Sequence, residues 1–319
     1  MLRAQAVWHP APGHTQVSIW PADEPNPQPV KGPENVGSNP AFLIAGKPVV
    51  GVNNVTRPTM TVYSPEGTNT GAAVVVFPGG GYQTLAIDLE GTEVCDWLVP
   101  KGITCILLKY RVTDVGPYAK SGPYPESPMA LEDAQRTMGL LRLHAADLHI
   151  DPHKIGVLGF SAGGSLVASL SNHFEKRVYA PIDAADQQSC RPDFAVAIYP
   201  GHLSRSAAVY DAQFGAKPFP LPPPDRLSTA DDQLGLNPTL LITAQTPPTF
   251  LLQAEDDVVD SVYDSLSYYI ALKRAGVATE MHLYAQGNHA FGLRHTKLPI
   301  TDWPPLVERW LRTIGMLAD

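Results

Sequence analysis

Lys154 to Leu166 reads KIGVLGFSAGGSL, an apolar run that enters Gly159-Phe160-Ser161-Ala162-Gly163 and leaves as a stretch of small residues. Ile155, Val157 and Leu158 suit a buried parallel strand, and Gly164, Ser165 and Ala168 keep the next helix slim enough for close packing. A serine at such a strand-to-helix turn sits in a strained backbone conformation with its hydroxyl exposed. The glycines two positions away on each side leave room where strand and helix crowd together. Ser161 is the candidate nucleophile.

The chain has 319 residues, 44% of them hydrophobic, enough for one large α/β domain with a full core. Its 23 Lys and Arg against 31 Asp and Glu give a net charge of -8 without a basic block, which argues against nucleic acid as a partner. The longest apolar runs, Ala72 to Phe77 and the neighbourhood of Ile106 to Leu108, fall far short of the roughly 18 residues of a spanning helix. A soluble protein with no membrane partner is expected. Met1 to Pro12 lacks a basic start followed by an apolar stretch, so no secretory signal is visible. Location therefore stays open between the cytoplasm and the mature form of a secreted protein. Cys95, Cys105 and Cys190 are too few and too dispersed for a metal knuckle or disulfide framework, and read as structural thiols.

Residues 1–45, rich in Pro, Asn, Gly and Glu between His9 and Pro40, are expected to form an extended arm over a main domain at 46–319. From Met60 the chain alternates. Met60 to Tyr63, Ala72 to Phe77, Ile103 to Tyr110, Lys154 to Leu158, Phe194 to Tyr199, Thr249 to Gln253 and Thr279 to Tyr284 read as strands. Ala130, Ala134, Met138, Leu141 and Ala145 share one helix face, with Glu132 and Arg136 expected to pair outside at i, i+4. A last helix is expected after an Asp302 cap, with Trp303, Leu306, Trp310 and Ile314 on its buried stripe. The alternation implies a mostly parallel central sheet with helices on both faces. Two stretches break it: Thr113 to Glu126, and an insertion at about 201–247. Both follow predicted strands, where loops wall the pockets of open α/β sheets.

A serine hydroxyl is a weak nucleophile near neutral pH, so it needs a general base and a group that orients that base. In the Ser, acid, His order of nucleophile-elbow folds, only His282, His289 and His295 come late enough. His289 lies in the loop Gln286 to Gly292, just past a strand end. His282 falls inside the strand, where it is expected to pack on a helix, and His295 is expected in solvent. The acid should leave the strand Thr249 to Gln253, where Glu255, Asp256 and Asp257 compete, and spacing unaided does not choose among them. Phe77-Pro78-Gly79-Gly80-Gly81-Tyr82 can present backbone N–H groups to a developing oxyanion. The candidate donors are Gly80, Gly81 and Ala162. A phosphate-cradling loop is disfavoured because no Lys-Ser/Thr ending follows.

Taken together, PGGGY, the stretches DLEG (Asp88 to Gly91) and LKYR (Leu108 to Arg111), GFSAGG, the acidic turn and GNHAFG resemble α/β-hydrolase esterases across roughly Met60 to Ala318. The branch they resemble most holds acetyl esterases, hormone-sensitive-lipase-like enzymes and bacterial esterases of acetylated xylan or feruloyl esters. That family pattern carries a serine eight positions beyond the acid. Laid on Gln253 to Ser265, it implies Asp257 over Asp256. The family's usual His before the glycines is Pro78 here, and the His or Gly near its acid turn is Gln253-Ala254. The resemblance implies a serine carboxylesterase without metal or organic cofactor, with Ser161, Asp257 and His289 as triad and a small-molecule or oligosaccharide ester as substrate. Tyr118, Tyr124, Tyr199 and Tyr210 are candidates for aromatic pocket walls or for ordinary core and surface.

Three other readings share the scaffold. A small serine peptidase would use the same triad, although no propeller repeats precede the domain. A lipase would need a broad apolar lid, whereas the insertion mixes Leu234, Leu236, Leu240, Leu241 and Ile242 with Asp231, Asp232 and many prolines. A binding protein on a retired scaffold would be expected to have lost the nucleophile or base, and both are present.

Overall fold

Short runs of Val, Ile, Leu and Thr bounded by Gly, Pro or Asp become strands because β-branched side chains pack well on a pleated surface. The computed structural model describes residues 7–21, 24–25, 32–112, 128–204 and 235–318. Along it run β1 (Thr15–Ser18), β2 (Asn35–Ile44), β3 (Lys47–Asn53), β4 (Thr59–Tyr63), β5 (Ala73–Phe77), β6 (Thr84–Ala86), α1 (Glu93–Leu98) and β7 (Thr104–Lys109). There follow α2 (Pro128–Leu143), β8 (Ile155–Phe160), α3 (Ala162–Asn172), β9 (Ala195–Ile198), β10 (Thr249–Ala254), α4 (Val262–Arg274), β11 (Thr279–Tyr284) and α5 (Pro304–Thr313).

Eight strands form one sheet in the order β1-β4-β7-β5-β8-β9-β10-β11, while β2, β3 and β6 form a small antiparallel sheet. β1 and β4 run antiparallel at one edge, and every pairing from β7 to β11 is parallel. All seven sequence-predicted strands lie in the large sheet. Its central strands β5, β7, β8, β9 and β10 are buried along their whole length, as expected where both faces are covered. Register places Phe77 opposite Gly159, Phe160 opposite Ile198, Leu252 opposite Ile198 and Ala254 opposite Tyr284. The chain therefore leaves β5, β8, β9, β10 and β11 at one edge, where the loops can converge.

Several expectations need correcting. The amino-terminal segment is not simply an arm: β1 extends the large sheet through β4, and the boundary at residue 45 falls inside the turn of the β2–β3 hairpin. Polar Gln16 and Ser18 in a short strand gave no apolar run to read. Glu132 and Arg136 do not form an exposed pair on α2. Both are buried; Glu132 meets Arg111, and Arg136 meets Asp183 and Asp186. Helical spacing brought them close, but longer-range partners claim each charge. Asp302 does not cap α5; it ends a 3-10 turn at Pro299–Asp302, and Trp303 is the cap residue. Cys95 and Cys105 are not thiols but a disulfide joining α1 to β7 with Cα atoms 5.2 Å apart, and Cys190 is free and buried. Thr113 to Glu126 lies outside the described residues, as do residues 205–234 of the insertion.

Candidate active site

The turn after β8 holds Ser161 at φ 50° and ψ -121°, a conformation that side chains rarely adopt. It is over-determined by its surroundings. Ser161 N–H donates to the Ile198 carbonyl at 3.1 Å, and its carbonyl accepts the Ser165 N–H at 3.0 Å. A Cβ on Gly159 would run into the Gly163 carbonyl, and one on Gly163 into the Phe77 carbonyl. The helix α3, AGGSLVASLSN, is buried throughout, which its small residues permit.

His289 reaches this serine from the loop after β11. Its ring Nε2 lies 3.0 Å from Ser161 Oγ, and its Nδ1 lies 2.7 Å from Asp257 Oδ2. With the proton on Nδ1 donated to Asp257, Nε2 presents a lone pair to the serine hydroxyl. The loop is tightly bent, with Asn288 and Ala290 at φ 54° and 59° on either side of the histidine. His282 instead lies 2.8 Å from Glu280 and against the Phe250 ring, and His295 is solvated beside Asp302.

The acidic turn separates its carboxylates by direction. Asp257 is buried: its Oδ1 accepts the Val259 and Asp260 N–H groups at 2.9 and 3.0 Å, leaving Oδ2 for the imidazole. Asp256 is exposed and turns toward the histidine loop, where its Oδ1 accepts the Gly287 and Asn288 N–H groups at 2.8 and 2.7 Å. Glu255 is exposed. Gln253, at the position where the family carries His, donates to Asp257 Oδ2 at 3.1 Å and accepts the Ser265 hydroxyl at 2.9 Å. Burial opposes the charged form of His289. The hydrogen bond to Asp257 and the charges of Asp260, Asp257 and Glu90 outweigh it and push the imidazole up to about 9.

The glycine loop after β5 lies against the nucleophile: a Cβ on Gly79 would sit 2.9 Å from Ser161 Cβ. Gly79 N–H is taken by Glu90 Oε2 at 2.7 Å, and Gly80 and Gly81 follow it at φ 129° and 63°. Ala162 opens α3, where a first-turn N–H has no partner within the helix. Pro78 supports the loop through its carbonyl, which accepts the Tyr110 hydroxyl at 2.6 Å. Glu90 Oε1 also accepts the Tyr199 hydroxyl at 2.8 Å, and that hydroxyl accepts Gly292 N–H at 3.1 Å. Tyr199 is therefore not a pocket wall; it is fully buried, with its ring edge-on to His289 at 4.9 Å. Tyr118, Tyr124 and Tyr210 lie outside the described residues.

Sequence reasoning missed roles for Glu90, Tyr199 and Asp260. Glu90 belongs to the DLEG motif, so its presence was visible but its partners were not. Asp260 stands three residues past Asp257, and its Oδ2 lies 3.3 Å from Ser161 Oγ.

A family model described as alpha/beta hydrolase fold matches residues 74–293, a span running from β5 through the His289 loop. The chain belongs to the alpha/beta hydrolase fold family. Within that family it is 28% identical to an acetylxylan esterase of Xylanibacter ruminicola over 73% of this chain and 43% of that one. It is 26% identical to an ethyl acetate hydrolase of Pseudomonas putida over 69% and 66% of the two chains. The chain thus spans less than half the length of the acetylxylan esterase. Among solved structures, an acetyl ester-xyloside bifunctional hydrolase from Caldicellulosiruptor lactoaceticus superposes with a TM-score of 0.68. It shares 30% identity, with 95% of this chain and 97% of that one covered. Among the described residues no helix is long and apolar enough to cross a membrane.

Proposed function

We propose that this protein is a serine carboxylesterase that removes short acyl groups, acetyl foremost, from carbohydrate or aryl alcohols. The hydrogen-bonded chain Ser161 Oγ to His289 Nε2 at 3.0 Å and His289 Nδ1 to Asp257 Oδ2 at 2.7 Å carries the reading. Ser161 Oγ attacks the ester carbonyl while its proton passes to Nε2. The oxyanion is met by N–H groups of Gly80, Gly81 and Ala162. Collapse expels the alcohol, which takes the proton from the imidazolium. Water, deprotonated by His289, then attacks the acyl-enzyme and frees the acid and Ser161. Nothing in this sequence of steps calls for a metal or organic cofactor.

The relatives' names, acetylxylan esterase and ethyl acetate hydrolase, support acetate as the acyl group. Purified protein and Ser161→Ala should be compared on acetylated xylan fragments, feruloyl esters and aryl esters of rising chain length. The expected result is highest kcat/KM on acetates and a loss on the order of 10⁵-fold or more in the variant. Equal turnover by the two proteins would overturn the assignment, and a preference for long acyl chains would overturn the substrate class.

A further inference from the structure

The four-residue turn Asp257-Val258-Val259-Asp260 places a carboxylate on each side of His289. Asp257 Oδ2 lies 2.7 Å from Nδ1, while Asp260 Oδ2 lies 3.8 Å from Nε2 and 3.3 Å from Ser161 Oγ. The backbone of Asp260 is fixed independently of its side chain: its N–H donates to Asp257 Oδ1 at 3.0 Å and its carbonyl accepts Gln253 Nε2 at 3.0 Å. The side chain is only 10% exposed, and Gly201 lies so close that a Cβ there would run into the carboxylate. Among the described residues its hydrogen bond is with the Ser161 hydroxyl, and no Lys, Arg or backbone N–H takes it.

A buried carboxylate whose cationic neighbours among the described residues are histidines, with no Lys, Arg or backbone N–H on it, is costly to keep in a fold. Nothing structural requires it here, since both backbone groups are held without it. The groups that face it are Ser161, His289, Asp257, His202 and, from α4, Asp264. Burial pushes Asp260 up from the usual carboxylate range, and the charges of His289 and His202 pull it back. Asp260 is in turn one of the charges that raise His289.

We propose that Asp260 is a second catalytic carboxylate, which accepts the Ser161 hydroxyl while His289 is protonated, releases it to Nε2 once the imidazole is neutral, and whose charge, on the Nε2 side of His289, holds the imidazolium that acyl transfer creates. The proposal rests on Ser161 and His289 acting as nucleophile and base. No proton is taken by Asp260 itself: the serine proton passes from Oγ to Nε2 as the Oγ–carbon bond forms, and on to the leaving alcohol. The same charge that stabilises the transition state keeps more of the resting enzyme protonated at His289, so a faster plateau is traded against a profile shifted toward alkaline pH.

Asp260→Asn keeps the shape and removes the charge. Two readouts follow: the pH dependence of kcat/KM on an aryl acetate, and the titration of the imidazole proton shared between His289 and Asp257 by NMR. The expected result is that both inflections move down by about one pH unit and that kcat on the alkaline plateau falls about tenfold. An unmoved inflection, with the whole profile merely scaled down, would reduce Asp260 to a structural residue and overturn the proposal. Asp260→Ser gives the same two readings where the Asn variant does not fold. If the wild-type protein hydrolyses no ester, the proposed function fails, yet the NMR titration still decides whether the Asp260 charge acts on His289.

Discussion

Glu90 Oε1 and the Tyr199 hydroxyl lie 2.8 Å apart and buried, while the Ser161 hydroxyl is hydrogen-bonded to Asp260 and His289 and to neither of them. Through the Glu90–Tyr199 bond the glycine loop after β5, held by Glu90 at Gly79 N–H, is tied to the end of β9. Gly292 N–H on the same Tyr199 hydroxyl ties in the histidine loop. Burial pushes the Glu90 carboxyl up, opposed by its bond to Tyr199, by the charge of His289 and by Gly79 N–H. Oxyanion donors act only if already in place when charge develops, so the network's contribution belongs to the transition state.

Glu90→Ala and Tyr199→Phe should accordingly lower kcat by roughly 10- to 100-fold while KM changes little. Binding of a boronic acid that mimics the tetrahedral intermediate should weaken in parallel with kcat. A rise in KM at constant kcat would place the network in substrate binding instead.

The two adjacent aspartates should separate cleanly. Asp257→Asn removes the acceptor that sets the His289 tautomer, and kcat should fall on the order of 10³- to 10⁴-fold with the fold intact. Asp256→Ala frees the Gly287 and Asn288 N–H groups at the surface, loosening the loop without touching the imidazole. A loss nearer tenfold in rate and a small drop in Tm are expected. Steady-state kinetics beside thermal melts on both variants check this.

Stability should fall as the solution becomes alkaline. An unfolded histidine titrates near about 6.5, whereas His289 in the fold is pushed up to about 9. Below pH of about 6.5 both states carry the proton, and the imidazolium's contribution is fully present. Between the two values the folded state binds more protons than the unfolded, so stability declines with rising pH and this contribution is gone above about 9. Urea unfolding at pH 6, 8 and 10 should show the decline, and His289→Gln should flatten that part of it.

The Cys95–Cys105 bridge closes a loop with a sequence separation of 10, which in the chain-entropy picture stabilises by about 2–3 kcal/mol. Alkylation of the denatured, unreduced protein should modify Cys190 alone, and reductant should lower Tm by several degrees. Three alkylated cysteines without reductant would refute the bridge.

The seven apolar runs, the elbow at Ser161 and the glycine loop were legible because each depends on neighbours a few residues apart, whereas the link from Ser161 to the acidic turn and His289 came from their order along the chain and the family resemblance. β1 was not legible, since a short polar strand acquires its identity only from pairing with β4. Nor was the burial of Glu132 and Arg136, whose charges are taken by partners far along the sequence.

Spacing left Glu255, Asp256 and Asp257 in competition, and the folded turn gives each a direction: Asp257 inward to the imidazole, Asp256 outward to the histidine loop and Glu255 to solvent, while Asp260, which sequence reasoning missed, turns against the serine. Local sequence determines which backbone shapes are possible, because sterics and side-chain period act over a few residues. Which carboxylate meets which nitrogen is settled by distances between strands that pair only after the chain has closed on itself.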